Sequence, residues 1–147
     1  MVQLRGVTST VRDTNAELSA NAKLVLTEKL LTHGNQTAIS NMKVELKGEG
    51  SSVQVISRSV AQDDSVQVFN PLVIGECACR GHVQCDAIIM GNAKVKAIPG
   101  IEAASEDAML VHEAAIGKIA GDQIVKLMTL GLTEEEAEAE ILDDFLS

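Results

Sequence analysis

The chain has 147 residues, a formal net charge of −9 and only two aromatic side chains, and 46% of its residues are hydrophobic. This composition predicts one folded domain with an aliphatic core and excludes a disordered chain. With no basic stripe, few aromatic residues for base stacking and no apolar run of the ~20 residues that span a bilayer, we expect neither nucleic-acid nor membrane binding.

The first 18 residues are polar and contain no apolar segment of signal-peptide type. We therefore expect a cytoplasmic protein. In that compartment the three cysteines, Cys77, Cys79 and Cys85, are expected to be reduced thiols. Their odd number also argues against a closed disulfide framework.

Short segments of alternating apolar and polar residues extend from about residue 22 to residue 99. Examples are residues 42–46, 52–56 and 65–69. This period of two is typical of β-strands, and the glycine, asparagine and aspartate residues between the segments are typical of turns. The region is therefore predicted to contain many short strands.

A tetrapeptide, Ser-Val-Gln-Val, occurs at residues 52–55 and again at residues 65–68. Together with the short strands, the few aromatic residues and the evenly spaced glycines, this weak repeat favours a β-solenoid. In a solenoid each coil stacks aliphatic side chains on the next. A β-sandwich or an open barrel is the alternative from the pattern alone.

The last part of the chain changes to helical periodicity. A first helix is expected to begin at an Asp122 N-cap and to end before Gly131. Thr133 and Glu136 have the spacing of a capping box, which predicts the start of a second helix. The apolar positions of that helix are Ala137, Ile141, Leu142, Phe145 and Leu146. The two helices are expected to form a hairpin with an acidic outer side.

The densest group of soft metal ligands is formed by Cys77, Cys79, His82 and Cys85. Three thiols and an imidazole are ligands that zinc prefers, so a zinc site is one interpretation. The spacing differs from the usual Cys-x₂-Cys, and cysteine is often a small apolar core residue. Both interpretations are open at the level of the sequence.

A second candidate site is the pair His112 and Glu113, which lies between an apolar segment and a run of small residues. A lone pair of this kind is most often a solvated polar pair at the end of an element. The chain contains no Gly-x-Ser-x-Gly, no phosphate-binding glycine loop and no His-Glu-x-x-His. We therefore expect that it is not an enzyme by itself.

Five segments in the second half of the chain form an ordered set. They are Gln84-Cys85-Asp86 before an apolar run and Gly91, residues 97–102, residues 112–119, Asp122-Gln123, and residues 130–137 before Ile141-Leu142 and Phe145. In order and spacing, this set resembles the C-terminal part of the SufB/SufD family of iron–sulfur cluster assembly proteins. The chain is thus expected to be a short or truncated member of that family.

The resemblance implies a mainly β fold, a right-handed parallel β-helix, with a C-terminal helical hairpin. Residues 1–119 are expected to form the β-helix core, and residues 120–147 a helical segment that packs on it or extends from it. The family's cluster-building cysteine falls on Cys85, its histidine on His112 and the neighbouring acid on Glu113. The expected function is a scaffold for assembly of a transient iron–sulfur cluster, or for binding of iron.

The resemblance also implies partners. A SufC-type ABC ATPase is expected to dock on the helical segment. Its expected contacts are Ile124, Leu127, Met128, Glu134, Glu135 and Glu136. A second copy of the chain, or a SufB/SufD homologue, is expected to pair through the β-helix. The alternatives are an interaction module without cluster chemistry and a zinc protein that uses Cys77, Cys79, His82 and Cys85.

Ligand number supports a dimer. A cluster commonly needs about four protein ligands, more than Cys85, His112 and Glu113 of one chain supply, and a symmetric dimer is the commonest oligomer. Adjacent residues of a strand point to opposite faces, so His112 and Glu113 cannot both face Cys85 from a regular strand. We expect His112 to be the partner of Cys85.

Overall fold

The computed structural model describes residues 6–147; residues 1–5, part of the predicted core and of the polar N-terminal stretch, lie outside the described residues. The described part contains nine strands and two helices. The strands are β1 (Ser9–Leu18), β2 (Lys23–Thr32), β3 (Thr37–Leu46), β4 (Ser52–Ala61), β5 (Val66–Gly75), β6 (Cys79–Ile89), β7 (Lys94–Ala97), β8 (Gly100–Ala103) and β9 (Ala108–Gly117). The helices are α1 (Gly121–Thr129) and α2 (Glu134–Leu146).

Successive long strands alternate between two sheets in which all described pairs are parallel. Sheet A has the order β1-β3-β5-β7, with β8 also beside β5, and sheet B has the order β2-β4-β6-β9. Ser9 pairs with Thr37, and Thr37 pairs with Val66, so one coil takes 28 or 29 residues. The predicted β-solenoid is confirmed, with four coils within residues 6–147, and the sandwich and barrel alternatives are wrong.

The strands extend beyond the range that the alternation predicts, since β1 precedes residue 22 and β8 and β9 follow residue 99. The two Ser-Val-Gln-Val copies lie at the starts of β4 and β5, which belong to different sheets. The repeat that is visible in the sequence is therefore half a coil long. The full period of the fold is twice that length.

The corners of the coils place a residue with positive φ at equivalent positions in successive coils. At one corner these are Asn21 (φ 60°) and Gly50 (φ 73°). At the opposite corner they are Gly34 (φ 57°), Asp63 (φ 59°) and Gly91 (φ 66°). Only glycine and, less readily, asparagine or aspartate adopt this conformation at low cost. The corner residues thus carry the 28- or 29-residue period of the coil.

The core lies between the two sheets and is built mainly from aliphatic side chains. Val44, Leu46 and Val55 are completely buried there. Inward and outward residues alternate along each strand, as the pleat of a strand requires. A few inward positions are polar, and among these Glu28 and Ser57 are both buried.

The predicted caps at the junction of the two helices are confirmed. Gly131 has φ 102°, and its backbone N–H donates to the carbonyl of Met128 at 3.0 Å. The Thr133 Oγ1 accepts from the Glu136 backbone N–H at 3.2 Å, and the Glu136 carboxylate accepts from the Thr133 N–H at 2.8 Å. Both orphan groups of a capping box are therefore satisfied.

The predicted start of α1 is wrong by two residues. Ala120 is the N-cap and makes no side-chain capping bond, while Asp122 lies inside the first turn. A carboxylate in the first turn is still stabilised by the partial positive charge of the helix N-terminus. The helix thus keeps the electrostatic benefit of Asp122 without its capping hydrogen bond.

The helices pack on the solenoid through α2, which contacts β4 of sheet B as well as α1. Ala137 is completely buried, and the other apolar positions predicted for this face are half-buried. The Lys29 ammonium of β2 donates to the backbone carbonyl of Ser147. No helix within residues 6–147 has the length and apolar character to cross a membrane.

Candidate functional site

Cys85 lies in the middle of β6 and points into the core of the solenoid. Its side chain is 1% exposed and belongs to a cluster with Phe69, Val55 and Val83. Burial, and to a smaller extent the negative charge of Asp86, raise the pKa of the thiol to about 11. At neutral pH Cys85 is therefore a protonated thiol, and it must lose that proton before it can bind a metal.

His112 lies on the neighbouring strand β9 and faces the same interior. It pairs with Val83, and Cys85 pairs with Ala114, so Cys85 and His112 are diagonal neighbours on one face. Diagonal neighbours of this kind are about 8 Å apart between Cα atoms, a separation that long side chains can bridge.

The imidazole of His112 is poised as a neutral ligand. Its Nε2 atom is buried and has no hydrogen-bond partner. Burial, together with the nearby His82, lowers the pKa of the imidazole. A buried polar atom without a partner costs free energy, and a neutral imidazole is the form that binds metals. A ligand at this nitrogen would remove the cost.

The site lies at the edge of sheet B, because within the described chain β9 pairs with β6 on one side only. An edge strand presents unpaired backbone N–H and C=O groups, which can pair with another strand. Two outward side chains of β9, Met109 and Val111, are 63% and 50% exposed. The edge beside Cys85 and His112 therefore carries both free backbone groups and apolar surface.

Glu113 lies on the opposite face of β9 from His112. Its Oε2 is 3.1 Å from the Nε2 of His82, which faces outward from β6. Within one chain the structure thus brings Cys85 and His112 together and separates Glu113 from them. Strand alternation anticipates this separation, but the ion pair with His82 is missed, since it depends on the register of residues 31 positions apart.

The cysteine-rich segment does not form a cluster. Cys79 and Cys85 both point inward from β6 but are six residues apart, which is about 20 Å along a strand. Cys77 precedes the strand, and its thiol donates to the Leu46 carbonyl at 3.6 Å, while His82 points outward. Within residues 6–147 no group of three or more His, Cys, Asp or Glu side chains could hold a metal ion.

The expected partner residues of the helical segment differ in exposure. Ile124 and Leu127 are half-buried, whereas Met128 is 43% exposed and Glu134, Glu135 and Glu136 are exposed. Sequence reasoning missed two further apolar side chains beside Met128. These are Val125, 58% exposed, and Leu130, 77% exposed. The α1 patch, defined as Val125, Met128 and Leu130, is therefore the apolar surface that the helices offer.

Comparison with known proteins gives a consistent result. The sequence profile described as SUF system FeS cluster assembly, SufBD core domain, matches residues 2–145. An iron–sulfur cluster assembly SufBD family protein of Methanothermobacter thermautotrophicus is 34% identical over 118 residues, which cover 78% of this chain and 29% of that protein.

Two further relatives carry the same description. The protein of Pyrococcus horikoshii is 35% identical over 106 residues, covering 71% of this chain and 24% of the relative. The protein of Staphylococcus saprophyticus is 30% identical over 115 residues, covering 76% of this chain and 25% of the relative. The matched part of the chain thus spans less than a third of the length of these three relatives.

Proposed function

The chain belongs to the SufBD family of iron–sulfur cluster assembly proteins, and from this we propose that it is a scaffold on which iron and sulfide become a cluster. In this proposal Cys85 and His112 hold the nascent cluster, which is cargo for delivery. The observation that carries the proposal is the side-by-side placement of a buried thiol and an unpartnered imidazole at an open sheet edge.

The chemistry of the two side chains supports this role. Iron replaces the proton of the Cys85 thiol, because thiolate is the form that binds metals. The neutral imidazole of His112 supplies a nitrogen ligand without losing a proton. The apolar surroundings, which include Val55 and Val83, keep water away from a cluster that is being built. Binding thus depends on proton release at Cys85.

Two subunits are needed to complete the ligand set. One chain offers two inward ligands at this place, and clusters usually need about four. Pairing of two β9 edges about a two-fold axis would bring two Cys85–His112 pairs to one seam. A second copy or a family homologue can be the partner. Glu113, on the outer face, contributes through His82 unless the seam reorients it.

The helical segment is proposed to bind a SufC-type ATPase. The α1 patch supplies apolar contact area, and the three glutamates at the start of α2 supply a charged rim. Anchors of this kind, apolar in the centre and charged around it, are typical of protein interfaces. We assign the chemical energy for assembly to this partner and no catalysis to the chain itself.

Anaerobic reconstitution with ferrous iron and sulfide tests the scaffold proposal. We expect the wild type to gain the visible absorption of a cluster, and Cys85→Ala and His112→Ala to lose it. Cys79→Ala is the matched control, because Cys79 is also buried and inward on β6 but about 20 Å away. Absorption that survives Cys85→Ala would overturn the proposal.

A wild type that stays colourless would also contradict it. If such a protein still binds an ATPase through α1, the chain is an interaction module. If it instead retains stoichiometric zinc, the cysteine-rich segment is a zinc site formed with a partner.

A further inference from the structure

One buried titratable group has no part in the proposed ligand set. Glu28, on β2, is 6% exposed and faces the interior of the solenoid. Its carboxylate accepts from the Ser40 hydroxyl at 2.8 Å and forms an ion pair with Arg12. A buried carboxylate is expensive unless it is paired, and pairing alone rarely makes it favourable over an apolar residue. The position therefore suggests a role.

Glu28 is aligned with Cys85 along the axis of the solenoid. Glu28 pairs with Ser57, and Ser57 pairs with Cys85, on three successive strands of sheet B. All three side chains are buried and point inward. Neighbouring strands are about 4.8 Å apart, so the Cα atoms of Glu28 and Cys85 are about 10 Å apart with one hydroxyl between them.

The columns on either side do not offer the same continuity. One consists of Leu26, Val55, Val83 and His112, and its first three members are aliphatic. In the other, Ser59 is flanked by Leu30 and Ala87. Only the column of Glu28, Ser57 and Cys85 places polar groups on three adjacent strands among these residues.

We propose that Ser57 and Glu28 form a proton relay that accepts the proton of the Cys85 thiol. The S–H bond of Cys85 breaks and its proton passes to the Ser57 oxygen, while the hydroxyl proton of Ser57 passes to a Glu28 carboxylate oxygen. Cys85 becomes a thiolate and Glu28 a neutral acid, with no change in oxidation state. The need for a thiolate rests on the proposed function.

The geometry around Glu28 supports the outlet of this relay. Glu28, Arg12 and Ser40 line a cavity of about 560 Å³, which is large enough for several water molecules that can take the proton onward. Rotation about χ1 brings the Ser57 hydroxyl towards either neighbour. A relay to Glu28 also leaves His112 neutral, whereas a proton on its imidazole would remove a metal ligand.

Exchange of the Cys85 S–H proton in the metal-free protein tests the relay. After transfer to D2O, Raman spectroscopy follows the conversion of the buried S–H band to S–D, with Cys85→Ala identifying the band. We expect Ser57→Ala and Glu28→Gln to slow this exchange about a hundredfold, a usual contribution of a positioned acid–base group. Ser57→Thr keeps the hydroxyl and should exchange at nearly the wild-type rate.

Ser59→Ala is the matched control, since Ser59 is also a buried inward serine of β4 and should leave the rate unchanged. Amide exchange of β6 is measured on the same samples, because a purely structural effect of Ser57→Ala would change it. Equal S–H exchange rates in wild type and Ser57→Ala, or slowing only in His112→Ala, would overturn the relay. Neither result depends on whether a cluster forms.

Discussion

At the scale of single residues, burial prepares Cys85 and His112 in the same electrical state. It raises the pKa of the thiol and lowers the pKa of the imidazole, so both side chains are uncharged near neutral pH. Uncharged groups are inexpensive to hold in an aliphatic interior, whereas a thiolate or an imidazolium is costly there. The interior is therefore stable without cargo, and a cation makes the thiolate affordable.

The raised pKa of Cys85 links the stability of the fold to alkaline pH. The thiol titrates near 9.0 when unfolded and at about 11 when folded. It therefore adds stability that is fully present below pH 9 and lost as pH rises to 11. We expect unfolding free energies from urea titrations to fall more steeply over this range in wild type than in Cys85→Ala, by up to about 3 kcal/mol. Parallel pH profiles would contradict the assigned burial.

At the scale of elements, the corners keep the strands in register. The backbone N–H of Gly34 donates to Asp63 Oδ2 at 2.7 Å, which ties one corner to the next coil. Because a slip of one residue would turn every inward side chain of a strand outward, the corners also decide which residues reach the interior. The site thus depends on corner residues that are remote from it.

Two glycines at equivalent corners provide a matched test of this role. Gly34→Ala and Gly91→Ala both put a side chain at positive φ, which costs about 1–2 kcal/mol. An added Cβ at Gly34 meets nothing within 4 Å, whereas at Gly91 it lies 3.2 Å from the backbone of Asp63. We expect Gly91→Ala to lower the denaturation midpoint more than Gly34→Ala. Equal losses would show that the corner can shift freely.

At the scale of the whole molecule, sheet B ends in two different edges within the described chain. The β2 edge carries Val25, which is 63% exposed, and the β9 edge carries Val111, which is 50% exposed. Only the β9 edge lies beside Cys85 and His112. The proposed seam therefore has a specific location, and the other edge serves as its control.

A charge at the seam should disrupt the proposed dimer. Val111→Lys places an ammonium where two β9 strands would meet, so we expect its dissociation constant to rise at least tenfold, about 1.4 kcal/mol. Val25→Lys puts the same group on the opposite edge and should leave dimerisation unchanged. Sedimentation equilibrium over a range of protein concentrations measures both. A wild type that stays monomeric throughout would refute the seam.

The sequence by itself determined the features that depend on near neighbours in the chain. The capping box of Thr133 and Glu136, the left-handed Gly131 and the strand alternation that separates His112 from Glu113 all follow from residues a few positions apart. Motif order also identified the family. These signals are readable because local backbone geometry dictates them.

Only the tertiary structure decided which distant residues meet. The placement of His112 beside Cys85, the ion pair of His82 with Glu113 and the column from Glu28 to Cys85 all join residues about one coil apart. The register of parallel coils is fixed by corner geometry and by packing between two sheets, and a shift of one residue reverses the face of every side chain. Local sequence carries no record of that choice.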